Sequence, residues 1–515
     1  MTTHHIQLLL TSDIHGYIMP TAYRGVQEHL GLALLASTIE QLRKERPTLL
    51  IDNGDLIQGS PLVYYSNAFQ ADKPNPIIAA ANTIGYDAAV LGNHEFNYGL
   101  QHLNKAIEQS QFPWLCCNIV HEDGSPWVQP YHIFEVDGVR IGVLGVTTHF
   151  ITQWERPEHI AGLTINDALE AARYWLEVMK QEEVHISVIS YHGGFSHCLE
   201  TGEAEEASSG ENQGYQMLAE LDFDILLTGH QHRELAASAH GKSIVQPGYR
   251  GAYVGKIEIT VELEQGKCIS KQHKAQLIAA KPELTPMQGV VDAVSVMHEA
   301  TEQWLDQTLA VVNGNMFYED AFDVRVHKHA YVQFLQELQM YATGASISCA
   351  SLLHDLPGGF KPTITMRDIV TNYIYPNTLK VLAVTGEQML MALEQSASYF
   401  ELVDGKLTVS PAFQYPKSQG YNYDMWEGID YVIDPAKPVG QRIVKATYRG
   451  QPIEPSRVYE VVMNSYRATG AGNFPYFATC PVLQDQQIDM TELIADYLRR
   501  RPVIHASCKP NWKVV

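Results

Sequence analysis

Five short apolar runs, each ending in a turn that carries Asp, Asn or His, constrain this chain more than any other feature of it. Leu8-Leu9-Leu10 leads into Thr11-Ser12-Asp13-Ile14-His15, and Leu49-Leu50-Ile51 into Asp52-Asn53-Gly54-Asp55. Ala88-Ala89-Val90-Leu91 leads into Gly92-Asn93-His94-Glu95. Residues 184–189 lead into Ser190-Tyr191-His192-Gly193-Gly194, and Ile225-Leu226-Leu227 into Thr228-Gly229-His230-Gln231-His232. A run with no polar face reads as a strand buried on both sides, and ligands in open α/β sheets gather beyond the carboxyl ends of such strands. The five strand ends are therefore expected to aim Asp, Asn and His at one place.

Asp13 and His15 stand two apart, as do His230 and His232, a spacing that can turn both side chains of a pair toward one cation where a strand opens into a loop. Carboxylate, imidazole and amide oxygen together suit Mn²⁺, Fe, Zn²⁺ or Co²⁺ rather than Ca²⁺. The candidates Asp13, His15, Asp55, Asn93, His192, His230 and His232 are too many for one tetrahedral ion, whereas two ions sharing a bridging carboxylate use them all. Any one His alone reads as a satisfied polar residue in a turn; the recurrence at five strand ends does not. His149 ends another buried run, residues 140–146, but has no partner two residues on and stays outside the metal set.

A chain of 515 residues exceeds what one hydrophobic core serves, so at least two domains are expected. From Ile6 to about Val261 strands alternate with helical stretches such as Leu32–Arg43 and residues 166–182, the pattern of an α/β domain. Gln58-Gly59-Ser60-Pro61 reads as a tight turn beside the metals, residues 200–211 as a solvated loop, and Asn212 as the cap of the helix after it. In Leu284-Thr285-Pro286-Met287-Gln288, Thr285 reads as a cap, Pro286 as the first helical residue and Gln288 as the capping-box partner. The stripe Val290, Val294, Met297 and Trp304 continues that helix, and Asn313-Gly314 ends it. The resulting division is a catalytic domain over 1–280, a linker helix over 281–315 and a second domain over 316–515.

The formal charge of −22 argues against nucleic-acid polymers and anionic lipid as partners. It is compatible with a small anionic substrate, because two divalent ions outweigh the charges of Asp13 and Asp55. No apolar stretch reaches the ~18–20 residues of a membrane span, and Met1-Thr2-Thr3-His4-His5 has no signal-peptide pattern. Seven cysteines without regular spacing do not make a disulfide framework, and Cys116-Cys117 reads as a buried strand end. The expected location is cytoplasmic, or periplasmic or secreted if a signal was removed.

Asp-x-His, Gly-Asp, Gly-Asn-His-Glu, His-Gly-Gly and Gly-His-x-His in this order resemble the calcineurin-like metallophosphoesterase fold. Along nearly its whole length the chain resembles the 5′-nucleotidase / 2′,3′-cyclic-nucleotide 2′-phosphodiesterase family. The resemblance implies an α/β protein of two domains, an N-terminal α/β sandwich and a C-terminal α+β substrate-specificity domain. It implies two divalent ions, with Asp13, His15, Asp55 and His232 at one and Asp55, Asn93, His192 and His230 at the other. His94 is then left over beside a ligand, placed to donate to the phosphate and to protonate the leaving ribose oxygen. In the second half, the helical run 329–342, the strand 379–384 and the helix 389–396 match the specificity domain. On that match Tyr375 and Tyr466 clamp a nucleobase and Asn377 contacts it.

Two departures from typical 5′-nucleotidases bear on the substrate. Their Asp three residues after the catalytic His is Asn97 here, and their Asn-Gly-Gly-x-Arg stretch has only Leu356-Pro-Gly-Gly-Phe360 as its nearest counterpart. Gly-Asn-His-Glu-Phe-Asn-Tyr-Gly, Gln58-Gly-Ser-Pro-Leu62 and Met366-Arg367-Asp368 look like the cyclic-phosphodiesterase branch. The expected function is hydrolysis of 2′,3′-cyclic nucleotides and 3′-nucleotides at a dinuclear centre of Mn, Zn, Fe or Co. The alternatives are a broad 5′-nucleotidase and, from another class, a silent metal-binding interaction protein.

Overall fold

The apolar runs are strands, and the alternation of buried side chains along them explains how they stack. The computed structural model describes residues 1–21, 23–24, 28–205, 210–281, 283–375, 377–415, 417–486 and 488–515. The chain divides into two units, Met1–Thr301 and Glu302–Val515.

The strands of the first unit are β1 (Thr2–Thr11), β2 (Thr48–Asp52), β3 (Ala88–Val90), β4 (Trp114–Leu115), β5 (Ile119–His121), β6 (Tyr131–Val136) and β7 (Val139–Thr147). They continue with β8 (Leu163–Ile165), β9 (Ile186–His192), β10 (Ile225–Thr228), β11 (Glu234–Ala239), β12 (Lys242–Pro247), β13 (Tyr253–Glu264) and β14 (Lys267–Ala279). One six-stranded sheet has the order β14-β13-β1-β2-β3-β4 and a second the order β11-β12-β10-β9-β7-β6, while β5 and β8 form a separate ribbon. β1 through β4 are parallel, and so are β7, β9, β10 and β12, so the turns after them leave from the carboxyl edges.

Leu8 and Leu10 of β1, Ile51 of β2 and Val90 of β3 share one core with Ile141 and Val143 of β7, Val188 of β9 and Leu227 of β10. The two sheets therefore face each other, and truncating Leu8 or Ile141 to Ala would cost about 2–5 kcal/mol. The intervening residues Leu144, Val146, Ile189 and Leu226 turn outward, onto Ala172, Leu176 and Met179 of helix Ala168–Lys180 and Met217 and Leu218 of helix Gly214–Glu220. Helix Leu32–Arg43 buries Leu32, Leu35, Ala36, Ile39 and Leu42, a stripe at the three-four spacing. Two sheets with helices outside make the expected α/β sandwich.

Three local expectations change. The helix expected from Thr285 runs over Gln288–Leu305, because the Thr285 carbonyl accepts from Ser37 Oγ at 2.7 Å and the Met287 amide donates to the Ala33 carbonyl at 2.8 Å. Both groups are spent on helix Leu32–Arg43 rather than on a cap. Within 281–315, residues Thr308–Asn313 form a strand beside Thr363–Thr365 and Val503–His505. Asn212 does not cap a helix: its Oδ1 accepts from the Gly194 amide at 2.9 Å, and helix Gly214–Glu220 follows Gln213 instead. Of the loop 200–211, residues 206–209 lie outside the described residues, as does Pro376 beside Tyr375.

The second unit is α+β. Its main sheet has the strand order Met425–Glu427, Ile347–Ala350, Val458–Asn464, Leu379–Thr385, Val482–Asp485. Helix Ala330–Thr343 buries Tyr331, Phe334, Leu335 and Leu338, and Thr385 with Gln388 forms the capping box that starts helix Gly386–Ala397. Among the described residues no helix is long and apolar enough to cross a membrane.

Candidate metal centre

Three ligand-bearing turns leave the first sheet and two leave the second. Asp13 and His15 follow β1, Asp55 follows β2 and Asn93 follows β3; His192 ends β9, and His230 and His232 follow β10. Their side chains converge in two groups, Asp13 with His15 and His232, and Asp55 with His192 and His230. Asn93 Oδ1 joins the second group, 3.2 Å from His192 Nε2 and 2.9 Å from His230 Nδ1. Asp55 Oδ2 lies 3.2 Å from His192 Nε2 and 3.9 Å from His15 Nε2, so one oxygen faces both groups.

Backbone strain is concentrated here. Asp13, His15, Asp55, His230 and His232 all have φ between 51° and 66°, the left-handed region that side chains with a Cβ avoid. Asp137, His240, Gln265, Asp404 and Arg449 share that conformation, but each precedes a Gly in a tight turn. His15 also precedes a Gly, Gly16, but Asp13, Asp55, His230 and His232 hold the conformation with no Gly after them, and there it serves to aim their side chains. Glu95 holds the strained loops together: its Oε2 accepts from the Gly92 and Asp55 amides at 2.6 and 2.9 Å, and its Oε1 from Leu56 and Ile57 at 2.6 and 3.2 Å. Gly54 and Gly92 let the two turns touch, since a Cβ on Gly54 would stand 2.5 Å from the Gly92 nitrogen.

Hydrogen bonds on the outer side of each ring decide what faces inward. His15 Nδ1 donates to the Gln58 carbonyl at 3.1 Å, His192 Nδ1 to the Asn53 carbonyl at 2.7 Å, and His230 Nε2 to Glu211 Oε1 at 2.8 Å. The opposite nitrogen of each ring faces inward: His15 Nε2 lies 3.1 Å from His232 Nε2, and His192 Nε2 and His230 Nδ1 face Asn93 Oδ1. Imidazole nitrogens, carboxylate oxygens and an amide oxygen converging in this way are groups a divalent ion accepts, so the residues present fit divalent ions, with outer partners that orient the rings. Electrostatics agree. Burial alone would raise the Asp55 carboxyl, but His192 and His94 hold it well below the usual range. Burial also opposes Asp13, which the hydrogen bond and charge of His232 bring down to about 2. Burial disfavours charge on His192, yet Asp55 carries it up to about 10, so the field at that point demands a positive charge.

Residue type and strand position point to the seven inward residues but not to their supports. Glu95 stands in Gly-Asn-His-Glu and Glu211 at the end of the polar loop 200–211; neither has a spacing that betrays its partner. Trp154 stacks on His230 with centroids 5.4 Å apart, and Tyr249 on His232 at 4.8 Å, two ring partners equally invisible in sequence. Gln58 contributes its carbonyl to His15 and is itself buried. His149 lies 3.9 Å from Asp167 Oδ2 and belongs to neither group. His94 sits against His15, ring centroids 5.2 Å apart, and its Nδ1 lies 2.6 Å from Asn97 Oδ1. Cys116 and Cys117 are buried, and burial pushes the Cys116 thiol up to about 12.

In the second unit, Tyr375 and Tyr466 are both half-buried, Tyr375 in a loop and Tyr466 in the short helix Ser465–Ala468 that Asn464 caps. Leu379 pairs with Asn464, the Ser465 amide donates to the Thr378 carbonyl at 2.8 Å, and the Thr378 amide to Ser465 Oγ at 3.1 Å. These bonds hold the loop of Tyr375 beside the helix of Tyr466. The Asn377 side chain is hydrogen-bonded to the buried Tyr373 hydroxyl. Arg467, next to Tyr466, is buried, pairs with Asp424 at 2.8 Å and donates to the Ala471 carbonyl of the glycine-rich turn. The stretch Leu356-Pro-Gly-Gly-Phe360 enters the strand Gly358–Phe360, which pairs with Met316–Tyr318.

The family model for calcineurin-like phosphoesterase matches residues 6–234, and that for the 5′-nucleotidase C-terminal domain matches residues 308–479. The chain is 27% identical to the 2′,3′-cyclic-nucleotide 2′-phosphodiesterase/3′-nucleotidase of Haemophilus influenzae over 99% of its own length and 87% of that protein. It is 26% identical to the trifunctional nucleotide phosphoesterase protein YfkN of Bacillus subtilis, of which it spans 39%. A Staphylococcus aureus structure named as a 5′-nucleotidase, solved with α-ketoglutarate, superposes with a TM-score of 0.91 at 34% identity over 99% of both chains. With likeness at that level from end to end, and one family model falling within each unit, the chain belongs to the metal-dependent phosphoesterases that join a calcineurin-like domain to a 5′-nucleotidase C-terminal domain.

Proposed function

We propose that the protein hydrolyses nucleotide phosphate esters, 2′,3′-cyclic nucleotides and 3′-nucleotides foremost, at a centre of two divalent ions. The observation that carries this reading is Asp55 Oδ2, a single buried carboxylate oxygen facing ligands of both groups. Asp13, His15, Asp55 and His232 would hold one ion, and Asp55, Asn93, His192 and His230 the other. Bound ions supply Lewis acidity toward phosphate oxygens and make hydroxide available near neutral pH. His94 adds what the ions do not: with Nδ1 held by Asn97, its Nε2 is the edge that donates a proton to the leaving ribose oxygen. The outer bonds from Gln58, Asn53 and Glu211 keep the histidine rings from turning as phosphate binds.

The tethered loop of Tyr375 and helix of Tyr466 support base stacking, with Asn377 beside Tyr375. The preference for cyclic and 3′ substrates rests on the relatives' names and on a loop without the arginines of typical 5′-nucleotidases, since Arg325 nearby is committed to Asp355 Oδ1 at 2.7 Å. Seven free thiols support a reducing compartment. Turnover of a panel of 2′,3′-cyclic, 3′ and 5′ nucleotides tests the reading: cyclic and 3′ substrates are expected to lead. A clear lead for 5′-monophosphates would shift it to a 5′-nucleotidase, and no turnover with both ions bound would leave an interaction protein.

A further inference from the structure

We propose that Glu155 is a positioning residue for His94, holding the Asn97 amide in the one orientation that serves proton transfer; the inference rests on reading His94 as the general acid. Glu155 lies at the end of the short helix Ile151–Trp154, and its side chain is only 7% exposed. Its Oε2 lies 2.6 Å from Asn97 Nδ2, and Asn97 Oδ1 lies 2.6 Å from His94 Nδ1. Its Oε1 accepts from the Arg156 amide at 2.8 Å and from His159 Nδ1 at 2.8 Å, and His159 Nε2 in turn lies 2.7 Å from Arg156 Nη2. Gly99 completes the joint: with φ at 77°, a Cβ there would stand 3.4 Å from the His159 ring.

The physical content is in the direction of the bonds. An Asn side chain can be turned over at little cost, and turned over it would present its NH₂ to His94. A carboxylate only accepts, so Glu155 requires the Asn97 NH₂ on its own side and leaves the carbonyl oxygen for His94. That oxygen accepts Nδ1–H of the ring both before and after Nε2 has given up its proton, so the acid acts without any reorientation. Turned over, the amide would set N–H against N–H in the protonated ring. A carboxylate beyond the amide thus does the orienting that a single carboxylate three residues after the His would do directly.

Glu155→Gln keeps the shape and reverses one end. Because two donors converge on Oε1, the lone oxygen of the Gln goes there, and its NH₂ then confronts Asn97 Nδ2. The expected result is a loss of about ten- to a hundredfold in kcat on a 3′-nucleotide, the range for a partner one bond removed from the chemistry. KM, metal content and turnover of a nitrophenyl phosphate, whose leaving group needs no proton, should hardly change. Adding Asn97→Asp to Glu155→Gln restores complementarity, since the new carboxylate accepts from both His94 and the Gln, and should recover most of the lost kcat. Parental turnover by Glu155→Gln overturns the proposal, as does a folded double variant no faster than Glu155→Gln. If Glu155→Gln alone does not fold, the double variant decides by the same turnover. His94→Asn run on the same two substrates separates the failures. If it discriminates between them and Glu155→Gln does not, only the role of Glu155 falls; if it does not discriminate, the general-acid reading falls first.

Discussion

Asp55→Asn is the sharpest test of a shared centre, because the structure says which atom the substitution changes. Asp55 Oδ1 accepts from the His94 amide at 2.8 Å, so an Asn keeps its oxygen there and puts its NH₂ where Oδ2 stood. That group then points N–H bonds at His192 Nε2 and removes one negative charge from a site that is 1% exposed. Breaking one side of a buried ionic contact costs about 3–5 kcal/mol, which converts to a dissociation constant roughly 10²–10⁴-fold weaker, and the loss should fall on both ions together. At a metal concentration of about 100 times the parental dissociation constant, each ion stabilises the fold by about 2.7 kcal/mol, and a hundredfold weaker one by about 0.4. Losing both differences should lower the melting temperature in added Mn²⁺ by several degrees. His15→Ala, which touches only one group, should lose one ion. The assay is elemental analysis after dialysis against defined Mn²⁺ or Zn²⁺, paired with melting in the same buffers. An Asp55→Asn protein that keeps two ions at the parental midpoint would refute the bridging assignment, and so would one that loses only a single ion.

His94→Asn should lower nucleotide turnover by roughly 10²–10⁴-fold with both ions retained, and by much less for a nitrophenyl ester; steady-state rates on the two substrates check it. Tyr375→Ala and Tyr466→Ala should each raise KM for nucleotides by roughly ten- to a hundredfold, with aryl phosphate hydrolysis unchanged and the Phe variants nearly silent, because the ring face carries about 1–3 kcal/mol of stacking; equal losses on both substrates would sink the clamp. Glu95→Ala leaves four backbone amides without their acceptor and should cost at least about 3 kcal/mol, read by urea denaturation. Asp489, the cap of helix Met490–Arg500, is pushed up to about 6 by burial although the Thr491 amide opposes the shift. The folded chain then holds that proton where the unfolded chain has released it, so stability should fall as pH rises from about 4 to about 6. Asp489→Asn, which still caps, should flatten that fall.

The inward ligands could be read without coordinates because metal chemistry writes itself into residue type and strand position. A buried strand has no polar face, so Asp, Asn or His at its carboxyl end is conspicuous, and five such ends in the motif order of a known family point to a metal-dependent phosphoesterase fold. The second unit was legible mainly through resemblance. Tyr375 and Tyr466 lie 91 positions apart, and their neighbourhood rests on the pairing of Leu379 with Asn464 and the bonds between Thr378 and Ser465. Helix boundaries set by competition for backbone groups were not legible: Thr285 and Asn212 have the composition of caps, and each had a stronger tertiary claim on it.

Only tertiary structure decided how the seven candidate ligands are shared between sheets. Asp13, His15, Asp55 and Asn93 come from one sheet and His192, His230 and His232 from the other, and they meet because the inner faces of both sheets bury one core. It also decided the tautomers. A histidine in sequence offers either nitrogen, and the carbonyls of Gln58 and Asn53 and the carboxylate of Glu211 choose between them through contacts 43, 139 and 19 residues away. Asn97 shows the division within one residue. Its departure from the Asp of typical relatives was visible in the sequence, but the carboxylate behind it, Glu155, is 58 positions along the chain. Residue types state which chemistry is possible; the direction of each hydrogen bond, which selects one form of each group, is a property of the folded neighbourhood alone.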